Sequence, residues 1–75
     1  MQIQVKLMGL LKDKTPADGC LQLDDDATIK QALCAMDIPN EKAQTFTVNG
    51  SFERDRTRHL SDGDELTVIP PVGGG

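Results

Sequence analysis

Hydrophobic and polar residues alternate strictly at the start of the chain. Ile3, Val5 and Leu7 occupy alternate positions, and polar residues stand between them. A period of two sends successive side chains to opposite faces of a strand, so residues 2–8 are predicted to form a strand with one buried face. The alternation resumes at residues 20–24, which are predicted to pair antiparallel with the first strand as a hairpin.

The hydrophobic period then changes from that of a strand to that of a helix. The apolar residues at helical spacing are Ile29, Ala32, Leu33 and Met36. Thr28 followed three residues later by Gln31 predicts a capping box at the helix start. Pro39 is predicted to end the helix, because the residue before a proline disfavours helical geometry. The acidic run 24–26 is interpreted as favouring the positive end of the helix dipole, in preference to a metal or partner site.

Two further strands and a turn follow the helix. Residues 45–48 are predicted to form a strand, and Asn49-Gly50 is a strong signal for a tight hairpin turn into a return strand over residues 51–54. Asp62-Gly63 predicts another turn. Residues 65–69 form the last predicted strand, with Ile69 facing away from the buried side.

Three arginines at a spacing of two, Arg54, Arg56 and Arg58, have two interpretations. They could line one face of a strand as a partner-binding patch. Because Glu53 and Asp55 are interleaved with them, a mixed, solvated edge is the favoured alternative.

The order of elements is β-β-α-β-(β)-β, which predicts an α+β roll with one main helix on one face of a mixed sheet. In such rolls the first strand pairs with the last, so residues 65–69 are expected at the centre of the sheet. We expect one domain over residues 1–70 and a flexible glycine-rich tail over residues 71–75.

Composition narrows the class of function. A chain of 75 residues buries only about 60% of its unfolded surface, which leaves little room for a deep enzyme pocket beside its core. A net charge of −4 disfavours nucleic acid, whose phosphates need a basic surface. Two cysteines and a single histidine, His59, predict neither a disulfide framework nor a metal site. Without a signal-peptide or membrane-length apolar run, a cytoplasmic location is expected.

The final six residues form an unusual segment. Pro70 and Pro71 cannot donate to a strand ladder, so the last strand is expected to end there. The three glycines 73–75 have no Cβ, which lets a backbone pass through a narrow channel. An extended run from Pro71 to Gly75 reaches roughly 16–18 Å. The segment is interpreted either as an arm presenting the Gly75 carboxylate or as a frayed terminus or linker.

Three runs of the second half together resemble a known family. They are Val48-Asn49-Gly50, Leu60-Ser61-Asp62-Gly63-Asp64-Glu65-Leu66, and Ile69-Pro70-Pro71-Val72-Gly73-Gly74-Gly75. In combination they resemble the MoaD/ThiS family of ubiquitin-like sulfur carriers. The resemblance implies a β-grasp fold with a mixed, four- to five-stranded sheet on one main helix.

The resemblance also implies a mechanism in which the chain is a carrier and co-substrate, not an enzyme. Gly75 would be adenylated at its carboxylate by an ATP-dependent enzyme of the ubiquitin-activating type, and then converted to a thiocarboxylate. No cofactor would be bound by the chain itself. The implied partner-binding residues are Ile69, Pro70, Pro71, Val72, Gly73 and Gly74.

The Pro-Pro-Val sequence is most similar to the small subunit of molybdopterin synthase. That similarity implies a sulfur-accepting partner like the synthase large subunit and, indirectly, a cysteine desulfurase. A short segment between the helix and Phe46, and a glycine at position 73, depart from that subunit. Sulfur carriage for thiamine, cysteine or another metabolite therefore remains an alternative, as does a protein modifier conjugated through Gly75.

Overall fold

The sheet and helix predicted from the sequence are present in the computed structural model, which describes residues 1–16, 18–39, 43 and 45–70, with only the backbone of Leu10. The elements are β1 (Gln2–Leu7), a 3₁₀ helix (Gly9–Lys14), β2 (Cys20–Gln22), α1 (Ile29–Ala35), β3 (Thr45–Val48), β4 (Ser51–Glu53) and β5 (Glu65–Ile69). The five strands form one mixed sheet in the order β2-β1-β5-β3-β4. This arrangement is a β-grasp, ubiquitin-like fold.

The last strand lies at the centre of the sheet, as predicted. β5 runs parallel to β1, with Leu7 opposite Val68, and antiparallel to β3, with Thr45 opposite Ile69. β1 also pairs antiparallel with β2, which confirms the first hairpin. Because β5 has a hydrogen-bonded neighbour on each side, the residues that lead to the tail are tied to the body of the domain.

The core lies between the sheet and α1, and the alternating pattern fills it as predicted. Ile3, Val5 and Leu7 of β1 are buried, and so are Leu66 and Val68 of β5. The helix contributes its apolar stripe, and loops add further side chains to the same cluster. The buried residues from α1, its C-terminal turn and the loops include Ile29, Ala32, Leu33, Met36, Ile38, Leu11 and Leu60.

The start of α1 has the predicted capping box. The Gln31 backbone N–H donates to the Thr28 hydroxyl at 3.3 Å, and the Thr28 backbone N–H donates to the Gln31 side-chain oxygen at 2.8 Å. These two bonds satisfy donors that a helix leaves unpaired in its first turn. The acidic run 24–26 precedes the Thr28 cap, and the first turn of α1 itself contains no acidic residue.

The predicted end of α1 is wrong by about two residues. The helix stops at Ala35, before Pro39 can act on it, because Asp37 adopts a left-handed conformation with φ 58°. The Asp37 and Ile38 backbone N–H groups then donate to the carbonyls of Cys34 and Leu33 at 3.1 and 2.9 Å. These two hydrogen bonds form a Schellman motif, which satisfies the last carbonyls of the helix and turns Ile38 into the core.

Two strands are shorter than predicted, and one loop is more regular. β2 ends at Gln22 and β4 ends at Glu53, whereas residues 20–24 and 51–54 were expected to be extended. The hairpin between β3 and β4 is confirmed, with positive φ at both Asn49 (53°) and Gly50 (86°). The segment after β1, to which the alternating pattern assigns no element, begins with the 3₁₀ helix.

Candidate functional site

The candidate site begins where β5 ends. Ile69 and Pro70 are both half-buried, and Ile69 lies opposite Thr45 of β3. The other residues assigned to the site, Pro71, Val72, Gly73, Gly74 and Gly75, lie outside the described residues. The predicted boundary between a domain at 1–70 and a flexible tail therefore stays a prediction.

Sheet pairing holds β5 through Ile69, although the backbone bonds from the β1 side end at Val68. The Met8 N–H donates to the Val68 carbonyl at 3.1 Å, directly after the last paired residue of β1. Pro70 has no N–H and so cannot continue the ladder. The chain is thus fixed by its sheet neighbours until two residues before the tail.

The glycine that follows β1 touches the residue that follows β5. Gly9 has a φ of +56°, and a Cβ added to it would lie 3.2 Å from Cγ and 3.9 Å from Cδ of Pro70. A contact of 3.2 Å is tighter than nine in ten real Cβ contacts, so a side chain at Gly9 would require the proline ring to shift by a few tenths of an ångström. No local sequence pattern predicts this contact, since the two residues are distant along the chain.

The surface beside this contact is partly apolar and basic. Met8 is 43% exposed, which makes it one of two large hydrophobic residues that are exposed in the described part of the chain. It lines a shallow groove of about 410 Å³ together with two lysines and neighbouring residues. The groove is lined by Val5, Lys6, Leu7, Met8, Gly9, Lys12 and Thr15. The lysines give this face a positive character that contrasts with the net charge of −4 of the chain.

The arginines do not line a strand face, so that interpretation was wrong. β4 ends at Glu53, and the arginines follow it in a loop. The Arg56 guanidinium lies 5.0 Å from the centre of the Phe46 ring and donates to the Ala43 carbonyl at 2.7 Å. Arg58 approaches Glu53 at 3.3 Å, which agrees with the favoured interpretation of a mixed, solvated edge.

One ionisable group in this loop has a shifted pKa. Hydrogen bonds from the Thr57 hydroxyl and the Thr57 backbone N–H, at 2.5 and 2.9 Å, lower the pKa of Asp55 below its ordinary value of 3.8. The carboxylate thereby fixes the turn that leads to Arg58. This is a structural role for an exposed acid, with no indication of proton transfer.

Neither the cysteines nor the acidic run form a chemical centre. Cys20 is half-buried and Cys34 is exposed, and both are free thiols. Asp25 lies 3.3 Å from the N-terminal ammonium group of Met1, and His59 hydrogen-bonds through Nδ1 to the Asp26 carbonyl at 2.7 Å. Among the described residues, no group of three or more histidines, cysteines and acids could hold a metal ion. No helix in the described ranges is long and apolar enough to cross a membrane.

Solved structures share this fold at low sequence identity. The crystal structure of SAMP1 from Haloferax volcanii has a TM-score of 0.73 and 22% identity, with complete coverage of both chains. A putative molybdopterin converting factor, subunit 1, from Pyrococcus furiosus has a TM-score of 0.73 and 20% identity, over 96% of this chain and 99% of that one. The H. volcanii small archaeal modifier protein 1 has a TM-score of 0.67 and 22% identity, over 95% and 98%. These likenesses establish the fold.

The family of the chain is identified by its amino-acid sequence. No curated protein matches the chain in sequence. The ThiS family model, in contrast, matches residues 5–75, which include β5 and the whole glycine run. Proteins of this family are small carriers and not catalysts themselves, which confirms the prediction that the chain is not an enzyme. The chain therefore belongs to the ThiS family, as the resemblance of its second half to the MoaD/ThiS carriers predicts.

Proposed function

We propose that the chain is a sulfur carrier that bears its sulfur at the Gly75 carboxylate and delivers it in molybdopterin synthesis. The observation that carries this proposal is the family match, which continues through the glycine run to Gly75. The structure supports it by placing β5 at the centre of the sheet, directly before that run. The body would act as the part that partners recognise, and the last residue as the chemical group.

The chemistry follows from the poor reactivity of a free carboxylate. The α-carboxyl group has an ordinary pKa near 3.3–3.7 and is ionised at neutral pH, so it does not accept a nucleophile readily. In the proposed first step a carboxylate oxygen attacks the α-phosphorus of ATP, and pyrophosphate leaves. Hydrosulfide then attacks the acyl carbon, AMP and a proton leave, and the thiocarboxylate remains on Gly75.

The chain itself supplies no catalytic group for these steps. A ubiquitin-activating-type enzyme would bind ATP and perform the adenylation, and a cysteine desulfurase would supply the sulfur indirectly. A synthase subunit would then accept the sulfur from the carrier. The proposed contact residues are Ile69, Pro70, Pro71, Val72, Gly73 and Gly74, and we place these reactions in the cytoplasm.

The choice of molybdopterin over other sulfur acceptors is supported by the Pro-Pro-Val sequence before the glycines. The shared fold with the putative molybdopterin converting factor from Pyrococcus furiosus agrees with this choice. Thiamine, cysteine or another sulfur metabolite is the next candidate acceptor, because the family model is that of ThiS. Delivery from purified thiocarboxylated chain to a molybdopterin synthase large subunit or to a thiazole synthase distinguishes these acceptors.

A second candidate function is protein modification, in which Gly75 is joined to a lysine of a target. The shared fold with the small archaeal modifier protein 1 of Haloferax volcanii favours it. Both functions use the same adenylated carboxylate, and they differ in the nucleophile that follows. Lysine-linked adducts of Gly75 in cell extracts would support this function, whereas thiocarboxylate without such adducts would argue against it.

The test of the carrier proposal is a reconstituted reaction followed by mass spectrometry of the intact protein. The full chain is incubated with each ubiquitin-activating-type enzyme of its source organism, ATP and sulfide. We expect a mass change equal to the exchange of one oxygen atom for one sulfur atom, and none for a variant that lacks Gly75. An unchanged mass beside an enzyme that activates another carrier in the same tube would refute the proposal.

A further inference from the structure

Gly9 is the glycine whose surroundings differ from those of the other described glycines. Gly50 and Gly63 also have positive φ, +86° and +85°, but a Cβ on either would meet no atom within 4 Å. A Cβ on Gly19 would meet only the Val5 carbonyl, at 3.9 Å. Conformation alone therefore explains a glycine at these three positions. At Gly9 the proline ring at 3.2 Å adds a second requirement.

The two sides of this contact are held together by the backbone. Leu7 pairs with Val68 in the parallel ladder, and the Met8 N–H donates to the Val68 carbonyl at 3.1 Å. The Leu11 N–H donates to the Met8 carbonyl at 3.1 Å, which closes the turn that contains Gly9. Since both segments are fixed to each other, neither can easily withdraw if Gly9 acquires a side chain.

We infer that Gly9 is a positioning residue, whose missing side chain provides a seat for the Pro70 ring and so sets the direction in which the chain leaves β5. Pro70 has no N–H to hold it, so packing replaces the hydrogen bond that another residue could make. The five residues after Pro70 can span roughly 16–18 Å when extended, so the direction that the chain takes at Pro70 biases the region that Gly75 can reach. The effect of this seat on activation rests on the proposed function.

The inference separates two ways in which a substitution at Gly9 can act. A merely structural glycine, when replaced, lowers the folded fraction of the carrier, which raises the apparent KM of the activating enzyme and leaves kcat unchanged. If Gly9 instead provides a seat for Pro70, its replacement affects the carrier after it has bound the activating enzyme. The body still docks, but the Gly75 carboxylate reaches the ATP less often, so kcat falls while KM is kept.

The test compares Gly9→Ala with Gly50→Ala in the full chain. Both variants introduce a Cβ at positive φ, but only the first meets Pro70. Adenylation is followed as ATP–pyrophosphate exchange with the activating enzymes of the source organism. We expect kcat to fall about tenfold for Gly9→Ala, since even small misplacements of a reacting group are costly, and to remain unchanged for Gly50→Ala.

A rescue variant and a geometric measurement complete the experiment. Pro70→Ala removes the ring atoms that the new Cβ would meet, so the double variant Gly9→Ala/Pro70→Ala is expected to have a higher kcat than Gly9→Ala alone. Amide residual dipolar couplings of residues 72–75, measured relative to the body, are expected to change in Gly9→Ala and not in Gly50→Ala. These couplings need no enzyme.

Each result has one meaning. If Gly9→Ala retains the couplings and kcat of the original chain, or changes only KM as Gly50→Ala does, the seat does not exist. If the couplings change while kcat does not, Gly9 directs the chain but the seat has no effect on activation, and that part of the inference is wrong. If the original chain is not adenylated at all, the proposed function fails, and the couplings alone decide whether Gly9 directs the chain.

Discussion

The two ends of β5 are held in different ways. At its start, Asn49 and Glu65 exchange hydrogen bonds: the Asn49 N–H donates to the Glu65 carbonyl at 2.8 Å, and the Glu65 N–H donates to the Asn49 side-chain oxygen at 2.9 Å. The Asp64 carboxylate accepts from the Asn49 side-chain amide and from the Ser61 N–H, at 3.0 and 2.8 Å. The start of the strand is thus fixed by a network of polar contacts.

At the end of β5 that network is absent among the described residues. The last backbone bond from β1 reaches Val68, and Pro70 rests against Gly9 through van der Waals contact alone in the contacts described. Hydrogen bonds therefore fix the start of β5, whereas packing of Pro70 against Gly9 positions the chain just after its end.

The largest expected effect comes from removing the end of the chain beyond β5. Deletion of residues 74 and 75 is expected to abolish adenylation completely, because the new C-terminal carboxylate, on Gly73, would fall two residues short of the ATP in the activating enzyme. Thermal unfolding should be unchanged, since a terminal segment beyond the last strand contributes little to stability. A large fall in melting temperature would show that the end of the chain is part of the core, and the comparison between the two ends would fail.

In the middle of β5, a core substitution is expected to cost the most stability. Leu66 has no exposed surface, so Leu66→Ala should lower the free energy of unfolding by about 2–5 kcal/mol. Urea denaturation measures this loss. Thr67→Ala is the matched control on the opposite face of the same strand, and a loss for it as large as for Leu66→Ala would mean that the buried face is misassigned.

At the start of β5, the polar network is expected to matter for stability and not for activation. Asp64→Ala removes the acceptor of two hydrogen bonds and should lower the free energy of unfolding by about 1–2 kcal/mol. The kcat for adenylation at a temperature where the variant is folded should equal that of the original chain. Asp64→Asn, which retains one side-chain oxygen, should lose less; a lower kcat in either variant would contradict the division of roles.

At the end of β5, the reverse is expected for Ile69. This side chain is half-buried on the face away from the core, so Ile69→Ala should cost less stability than Leu66→Ala. Loss of a partner contact should raise the KM of the activating enzyme on the order of tenfold, as for a typical interface anchor. A KM that does not move would remove Ile69 from the partner surface.

The smallest effect concerns the loop after β4. This loop begins at the same end of the sheet as the end of β5. The pKa of Asp55 is lowered by its hydrogen bonds with Thr57. A group with a lowered pKa in the folded state stabilises above its ordinary pKa, and that contribution disappears as the pH falls through the folded value. Asp55→Ala should therefore lower the melting temperature slightly at pH 7, and this difference should shrink below the ordinary pKa of 3.8 and vanish once the pH is below the lowered pKa of the folded state. A difference that persists in acid would mean that the charge is not responsible.

Local patterns were sufficient to predict most of the fold. The alternation in β1 and β5, the Thr28–Gln31 capping box and the Asn49-Gly50 turn each depend on residues close together in the sequence. The end of α1 was not predictable from Pro39, since the left-handed Asp37 ended the helix first. A non-glycine residue in that conformation is uncommon, so the pattern gave no signal for it.

The site was less predictable, for a physical reason. Ile69 and Pro70 were placed near the end of the last strand because a strand pattern and a proline suffice to locate it. The contact between Gly9 and Pro70 requires the parallel pairing of β1 with β5, which brings together residues from opposite ends of the chain. Arg56 was likewise assigned to a strand edge, because its stacking on Phe46 depends on the hairpin and the following loop.

The account is tested most directly by isolating the protein from its own cells and determining which residue carries the transferred sulfur atom. Fragmentation of the intact protein in a mass spectrometer should locate one sulfur-for-oxygen exchange at Gly75, with β5 and the rest of the body unmodified. A chain that continues beyond Gly75, or a body that carries the sulfur on Cys20 or Cys34 instead, would contradict the account.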